Sequence, residues 1–230
     1  MRKDGIETKN KILTVCVRLF LEQGYKNTTI TQITEEAGIS RGSFQNFFPT
    51  KDAVLLELVK TMFGGQFGAA KSIVGDNLQP VYIYAVETAI QLTLTELNES
   101  LREIYIEAYT VPNIAEYIFL QTTAELKQIF GGNFPGYTEC DFYEMEIGTS
   151  GLMRNYMVKK CDIHFPLEHK VNRFLSAAMR VYNVSEEYRE KVLAFVAALD
   201  LKTISTEVMH KLFVALEMRY DFKLLDSGKE

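Results

Sequence analysis

Apolar residues recur at helical spacing along almost the whole chain and nowhere with the strict alternation of a strand, so the pattern predicts an all-α protein. An amphipathic first helix ends in LFLEQGY, Leu19 to Tyr25, with Cys16 in its apolar pattern as a small core residue. Thr29 and Gln32 then form a T-x-x-Q capping box, in which each side chain can satisfy a free backbone N–H of a new helix. Ile30, Ile33 and Ala37 make the buried stripe of that helix, and Gly38 ends it by taking the left-handed conformation at low cost. Ile39 turns inward and Ser40 caps a second short helix, Arg41 to about Phe48. On it Phe44, Phe47 and Phe48 fall at i, i+3 and i+4, while Arg41, Ser43, Gln45 and Asn46 point elsewhere. Pro49 stops this helix. Thr50 caps the next, which has Asp52 in its first turn and a stripe of Val54, Leu55, Leu58 and Val59.

Beyond residue 60 the chain stays helical, with breaks where Gly, Asn and Pro gather. Gly64, Gly65 and Gly68 loosen the end of the fourth helix, about 51–68, and GDNLQP at Gly75 to Pro80 closes the connection. Helices are expected from Pro80 to Asn98, Leu101 to Tyr109, Pro112 to Phe130 and Glu139 to Lys160, with GGNFPG, Gly131 to Gly136, as the clearest loop. Three more follow. Leu167, Val171, Phe174, Leu175, Ala178, Val181 and Tyr182 share one broad face; Ser185 caps a helix carrying Val192, Phe195, Val196 and Leu199; and a last helix spans about Ser205 to Phe222. The expected fold is therefore all-α, with a three-helix helix-turn-helix domain at the N-terminus, a larger C-terminal helical bundle and about nine to ten helices in total. The division falls at 1–60 and 69–230, joined by the fourth helix.

The polar residues left facing outward on the second short helix carry the chemistry. Arg can pair with guanine O6 and N7, Gln or Asn with adenine N6 and N7, and Ser with phosphate or base edges. A recognition helix sets its N-terminal residues against the bases, and Arg41 and Ser43 stand there.

Taken together, LFLEQGY, TTITQITEEAGISRGSF and the close from Phe47 to Leu56 resemble the TetR-type transcriptional regulators over residues 7–60. The resemblance implies a homodimeric, all-helical repressor or activator. Its N-terminal domain would bind double-stranded operator DNA and its C-terminal domain an unknown small-molecule effector. By the same likeness Thr28 or Thr29, Arg41, Ser43, Gln45, Asn46, Phe47 and Lys51 fall in the DNA-contacting segment, with Lys51 touching a phosphate. Two positions depart from the family: Gln45 stands where tyrosine is usual, and Phe47 where tyrosine or histidine is. Phenylalanine has no hydroxyl to give a phosphate, whereas Gln45 can read an adenine. A protein-interaction module of the same fold without sequence-specific DNA binding is the alternative.

Charge and composition agree with a split chain. Residues 1–60 hold nine Lys and Arg against seven Asp and Glu, a balance of +2, and the remainder sixteen against twenty-three, a balance of −7, within a net −5. Arg2, Lys3, Lys9, Lys11, Lys26, Arg41 and Lys51 must share one surface for phosphate binding to be strong. Cys16, Cys140 and Cys161 are scattered and odd in number, which fits a reducing compartment rather than a disulfide framework. No apolar run is long enough for a membrane span and no signal-peptide core opens the chain, so a cytoplasmic location and no membrane partner are expected.

The middle of the chain is rich in aromatic residues and methionine, the side chains that line adaptable apolar pockets. Tyr105, Tyr109, Tyr117, Phe142, Met145, Arg154 and Tyr156 are the effector-pocket candidates. On the late helices, the resemblance places the dimer interface at Phe195, Leu199, Val208, Leu212, Phe213 and Leu216. No phosphate loop, zinc-protease motif, C-x-x-C or nucleophile elbow is present, so no catalytic residue, cofactor or enzyme activity is expected. Cys161, Asp162, His164, Glu168 and His169 match no zinc spacing and read as a loop rather than a metal site. Gln45→Ala is expected to relax operator preference at one base pair without abolishing binding; unchanged base preference in a binding-site selection would count against a base-reading role for Gln45.

Overall fold

Eleven α-helices form among the described residues, 3–63 and 79–224, of the computed structural model. They are α1 (Lys3–Gln23), α2 (Ile30–Ala37), α3 (Arg41–Phe47), α4 (Lys51–Phe63), α5 (Pro80–Leu97), α6 (Glu99–Ala108), α7 (Pro112–Phe130), α8 (Glu139–Val158), α9 (Leu167–Val181), α10 (Glu186–Ala197) and α11 (Leu201–Tyr220). These are the eleven segments marked out one by one along the sequence, slightly more than the overall count of about nine to ten. The glycine breaks expected at 64–75 and the far end of the fourth helix lie outside the described residues.

Local chemistry sets most boundaries. Pro80 and Pro112 stand in the first turns of α5 and α7, where a missing N–H costs nothing. Asn98 accepts the Leu101 N–H at 2.9 Å, which starts α6 at Glu99, two residues earlier than expected. Thr138 donates its N–H and its hydroxyl to Asp141, each at 2.7 Å, at the start of α8. The last helix also begins early. Asp200 accepts the Thr203 N–H at 3.1 Å, and Ser205, the expected start, is fully buried within the helix.

The N-terminal helices pack around α1, whose Ile12, Cys16, Leu19 and Phe20 meet Ile33 and Ala37 of α2, Phe44 of α3 and Leu55 and Leu58 of α4 in one buried cluster. Burial pushes the Cys16 thiol up, so it stays protonated and acts as a small apolar side chain. The C-terminal bundle is organised by α5, which contacts every helix from α6 to α11. From Tyr84 to Thr95 every one of its residues is buried.

The two parts meet along α1 and α4 on one side and α6, α7 and α11 on the other. Glu103 of α6 accepts the Lys26 N–H at 3.1 Å, and Glu107 lies 3.6 Å from the Lys26 ammonium. Tyr220 of α11 bonds Thr61 at 2.8 Å through its hydroxyl and accepts the Thr14 hydroxyl at its carbonyl. Gly24 makes this approach possible. It has φ +89°, and a Cβ there would come within 2.6 Å of Glu103 Oε2. Gly24→Ala is expected to lower stability by about 1–2 kcal/mol, chiefly from the left-handed backbone, and to loosen the Lys26–Glu103 contact; a melting temperature equal to wild type would contradict this.

Candidate functional site

The turn between α2 and α3 is held by its own side chains. Thr29 accepts the Gln32 N–H at 3.2 Å, so half of the predicted capping box forms. The Gln32 carboxamide instead swings to Gln23, at 2.7 Å, and to Glu36, at 3.3 Å, because the end of α1 lies close enough to compete for it. Gly38 takes φ 59°, and the Ile39 N–H reaches back to the Thr34 carbonyl at 3.0 Å. Ser40 accepts the Ser43 N–H at 3.1 Å, and its hydroxyl lies 3.0 Å from that of Ser43.

This places α3 with one face in the core and the other in solvent. Phe44 and Phe48 are buried and Phe47 is half-buried, while Arg41, Gln45 and Asn46 are exposed and Ser43 partly so. Thr29 is exposed beside them at the start of α2. Thr28 stands apart. It is buried, and its hydroxyl donates to the Gly24 carbonyl at 2.9 Å and accepts from Gln23 at 3.2 Å. The end of α1 thus takes its hydrogen-bonding capacity, leaving Thr29 as the outward member of the pair.

Lys51 also turns inward. Its ammonium donates to the carbonyls of Tyr25 and Thr28, at 2.5 and 2.8 Å, and sits 4.0 Å from the centre of the Tyr25 ring. Tyr25 donates its hydroxyl to Asp52. Burial lowers the Lys51 pKa, and burial together with Asp52 raises that of Tyr25. Lys51 therefore pins the start of α4 to the turn before α2, and only its third N–H is left for a phosphate. Lys26 pairs with Glu107 on the C-terminal side, and Arg18 with Glu22 and Glu36, so the basic residues do not all gather on one surface.

A second feature lies inside the C-terminal bundle. A cavity of about 50 Å³ opens between α5, α7, α8 and the ends of α4 and α6, lined by Tyr84, Glu87, Gln91, Tyr109, Glu146 and Phe63 among others. Glu146 accepts hydrogen bonds from Ser150 and Thr149, both at 2.7 Å, from Thr122 at 3.1 Å and from Tyr182 at 3.3 Å. Burial raises its pKa, and these donors pull against the rise. Among the described residues no donor reaches the Glu87 carboxyl. Burial, reinforced by Glu125 and Glu146, pushes it up to about 8.

Of the seven expected pocket residues only Tyr109 lines this cavity. Phe142 packs on Phe134, at 5.9 Å between ring centres, and Tyr156 on Phe174, at 5.7 Å. Arg154 donates to Thr110 at 2.7 Å. Tyr105 is buried, Met145 packs on the core, and Tyr117 lies under the Lys60 ammonium, 5.9 Å away. The pattern of aromatic residues does not point to the cavity residues of α5. A signal for them exists, since Glu87, Thr88 and Gln91 are polar positions in the middle of a helix that is mostly apolar and buried. On the late helices Leu216 is fully buried within the chain, whereas Leu199, Val208, Leu212 and Phe213 are half-buried and Phe195 packs edge-on against Tyr82 at 5.2 Å. Leu216 thus belongs to the core rather than to a surface a partner could reach. The loop before α9 is folded by Asp162, which accepts the N–H groups of His164 and Phe165 and pairs with Lys159 at 2.5 Å.

The raised pKa of Glu87 makes a signed prediction. Between its ordinary value near 4.5 and about 8 the unfolded chain has released this proton and the folded chain has kept it, so its contribution to stability falls as pH rises across that window. Tyr84 and Tyr109, and the carboxyls of Glu125 and Glu146, face it, and no cation does among the lining residues. Glu87→Gln should therefore melt above wild type by a margin that grows from pH 5 to pH 8.5, on the order of a few kcal/mol. A margin constant with pH would mean that Glu87 titrates normally.

Comparison with known proteins bears on the N-terminal half of this picture. Residues 12–58 match the family model described as bacterial regulatory proteins, tetR family. The uncharacterized HTH-type transcriptional regulator YerO of Bacillus subtilis (strain 168) is 37% identical over 70 residues, 30% of this chain and 24% of that protein. The HTH-type transcriptional repressor KstR2 of Rhodococcus jostii (strain RHA1) is 30% identical over 70 residues, 30% of this chain and 34% of that protein. The matched stretches thus span about a quarter to a third of the curated relatives. Among solved structures RolR, crystallised with resorcinol, has a TM-score of 0.65 at 18% identity over 83% of this chain and 95% of that one, a likeness of fold. Residues 12–58 thus form an N-terminal helix-turn-helix of the tetR family.

Proposed function

We propose that this protein is a ligand-responsive transcriptional regulator, a repressor that binds a palindromic operator as a homodimer and leaves it when a small molecule binds. The observation that carries the reading is α3: a short helix locked by Ser40, Gly38 and three phenylalanines, with Arg41, Gln45 and Asn46 free in solvent. A helix with one face buried and a rigid polar face outward fits a major groove. The repressor name of KstR2 and the bound resorcinol of RolR point the same way.

In this reading residues 1–60 read DNA, and 69–230 sense the effector and dimerise through the exposed sides of α10 and α11. One copy contacts too few base pairs for specific binding. Two copies about a symmetry axis need half-sites roughly 34–36 Å apart. An effector acts by preferring one spacing of the two reading helices, since a ligand with equal affinity for both would shift nothing. The route is short: Tyr109 of the cavity directly follows α6, whose Glu103 and Glu107 hold Lys26. Phe47 in place of a hydroxyl-bearing residue, with Lys51 partly committed, gives a thinner grip on phosphate and leaves more of the specificity to Gln45.

An unbiased operator selection on the purified full chain, followed by gel shifts at low and moderate salt, tests the reading. A two-fold symmetric site bound by a dimer, weakening steeply with salt, is expected. Binding without sequence preference, or none at low salt, would favour the protein-interaction alternative.

A further inference from the structure

Helix α5 carries two carboxylates that differ in how they are satisfied. Glu96, near its end, has a full set of partners: Lys170 at 2.5 Å, Arg102 at 3.2 Å and the Cys161 N–H at 3.1 Å. Glu87, two and a half turns earlier, is only 8% exposed, and among the described residues it has no ion pair and no hydrogen bond. Its carboxyl opens instead into the cavity that Glu146 also lines. No Lys, Arg or His is among the described residues that line it.

We propose that this cavity binds the ammonium group of a small organic amine, with Glu87 as its main ion-pair partner and Glu146 as a second negative charge. The inference rests on the ligand-responsive reading above and adds the charge class of the effector. Buried carboxyls are ordinarily paired or hydrogen-bonded, because an unpaired one is costly to desolvate. Glu146 has its hydroxyl donors, whereas Glu87 has none among the described residues and faces another carboxyl, so a cation is the partner that offsets both. Tyr84, Tyr109 and Phe63 add aromatic faces of the kind that attract ammonium groups. The space of about 50 Å³ holds only the head of such a ligand, and Met153 at its edge is a side chain able to repack around a short alkyl tail. An anionic ligand would meet two carboxyls, and a neutral one would give Glu87 no charge to ionise against, whereas an ammonium group favours its carboxylate form.

The test uses three probes of one length and different charge: n-butylamine, n-butanol and butyrate. Each is titrated into the full-length protein by calorimetry at pH 7, and each is added to the operator complex in a gel shift. The amine should bind at least about tenfold more tightly than the alcohol and the acid, and should release the operator. Glu87→Gln should remove that preference while melting no lower than wild type, which separates loss of the site from loss of the fold. Glu146→Gln should weaken the amine without reversing the order. Alcohol or butyrate binding as tightly as the amine, no amine binding at millimolar concentration, or an unchanged order in Glu87→Gln overturns the proposal. Operator release by the alcohol alone would remove the cation class and leave the regulator standing. Failure to bind any operator would remove the regulator, and the calorimetric order would still decide the cation site.

Discussion

Burial of α5 on all sides is the constraint on which the C-terminal half depends. A helix surrounded by six others has no solvent face on which to place polar groups, so each one it carries must find a partner in the interior or stand against a cavity. Thr93 and Thr95 bond carbonyls one turn back, and Glu96 is neutralised by Lys170 and Arg102. Those residues bind α5 to α6 and α9. Among the described residues Glu87 and Gln91 have no such partner, and the cavity lies beside both.

The N-terminal helices follow a different rule. Their core is apolar, and the polar groups that matter are local: the Ser40 cap, the Gly38 turn, and the Lys51 ammonium held on two carbonyls. This makes the reading module stiff in itself. It is joined to α6 and α11 by an apolar core continuous with that of the bundle and by polar contacts in which Gly24, Lys26, Thr14 and Thr61 meet Glu103, Glu107 and Tyr220.

Features that depend on near neighbours along the chain are legible in the sequence. The caps at Thr29, Ser40 and Ser185, the glycine turn at Gly38 and the proline starts at Pro80 and Pro112 all arise within four residues, where spacing and chemistry suffice. Competition from distant residues is not legible there. Gln32 leaves its cap for Gln23, Thr28 turns from the surface to Gly24, and Lys51 turns inward to Tyr25, each because another helix arrives. The aromatic residues between 101 and 160 mislead for a related reason. Phe142 and Tyr156 fill a core, and composition does not distinguish a ring that packs on a neighbour from one that lines a void.

The sequence by itself determined that this chain is helical, where its reading helix begins and ends, and which side chains of that helix remain outside, because each follows from period and capping over a few residues. Only the tertiary structure decided which polar groups have partners. Glu87 and Glu96 look alike in sequence, two acids on one apolar helix, yet one meets a cavity and the other Lys170 and Arg102. That difference depends on which helix packs against each turn of α5, a matter of long-range contact that local pattern does not encode.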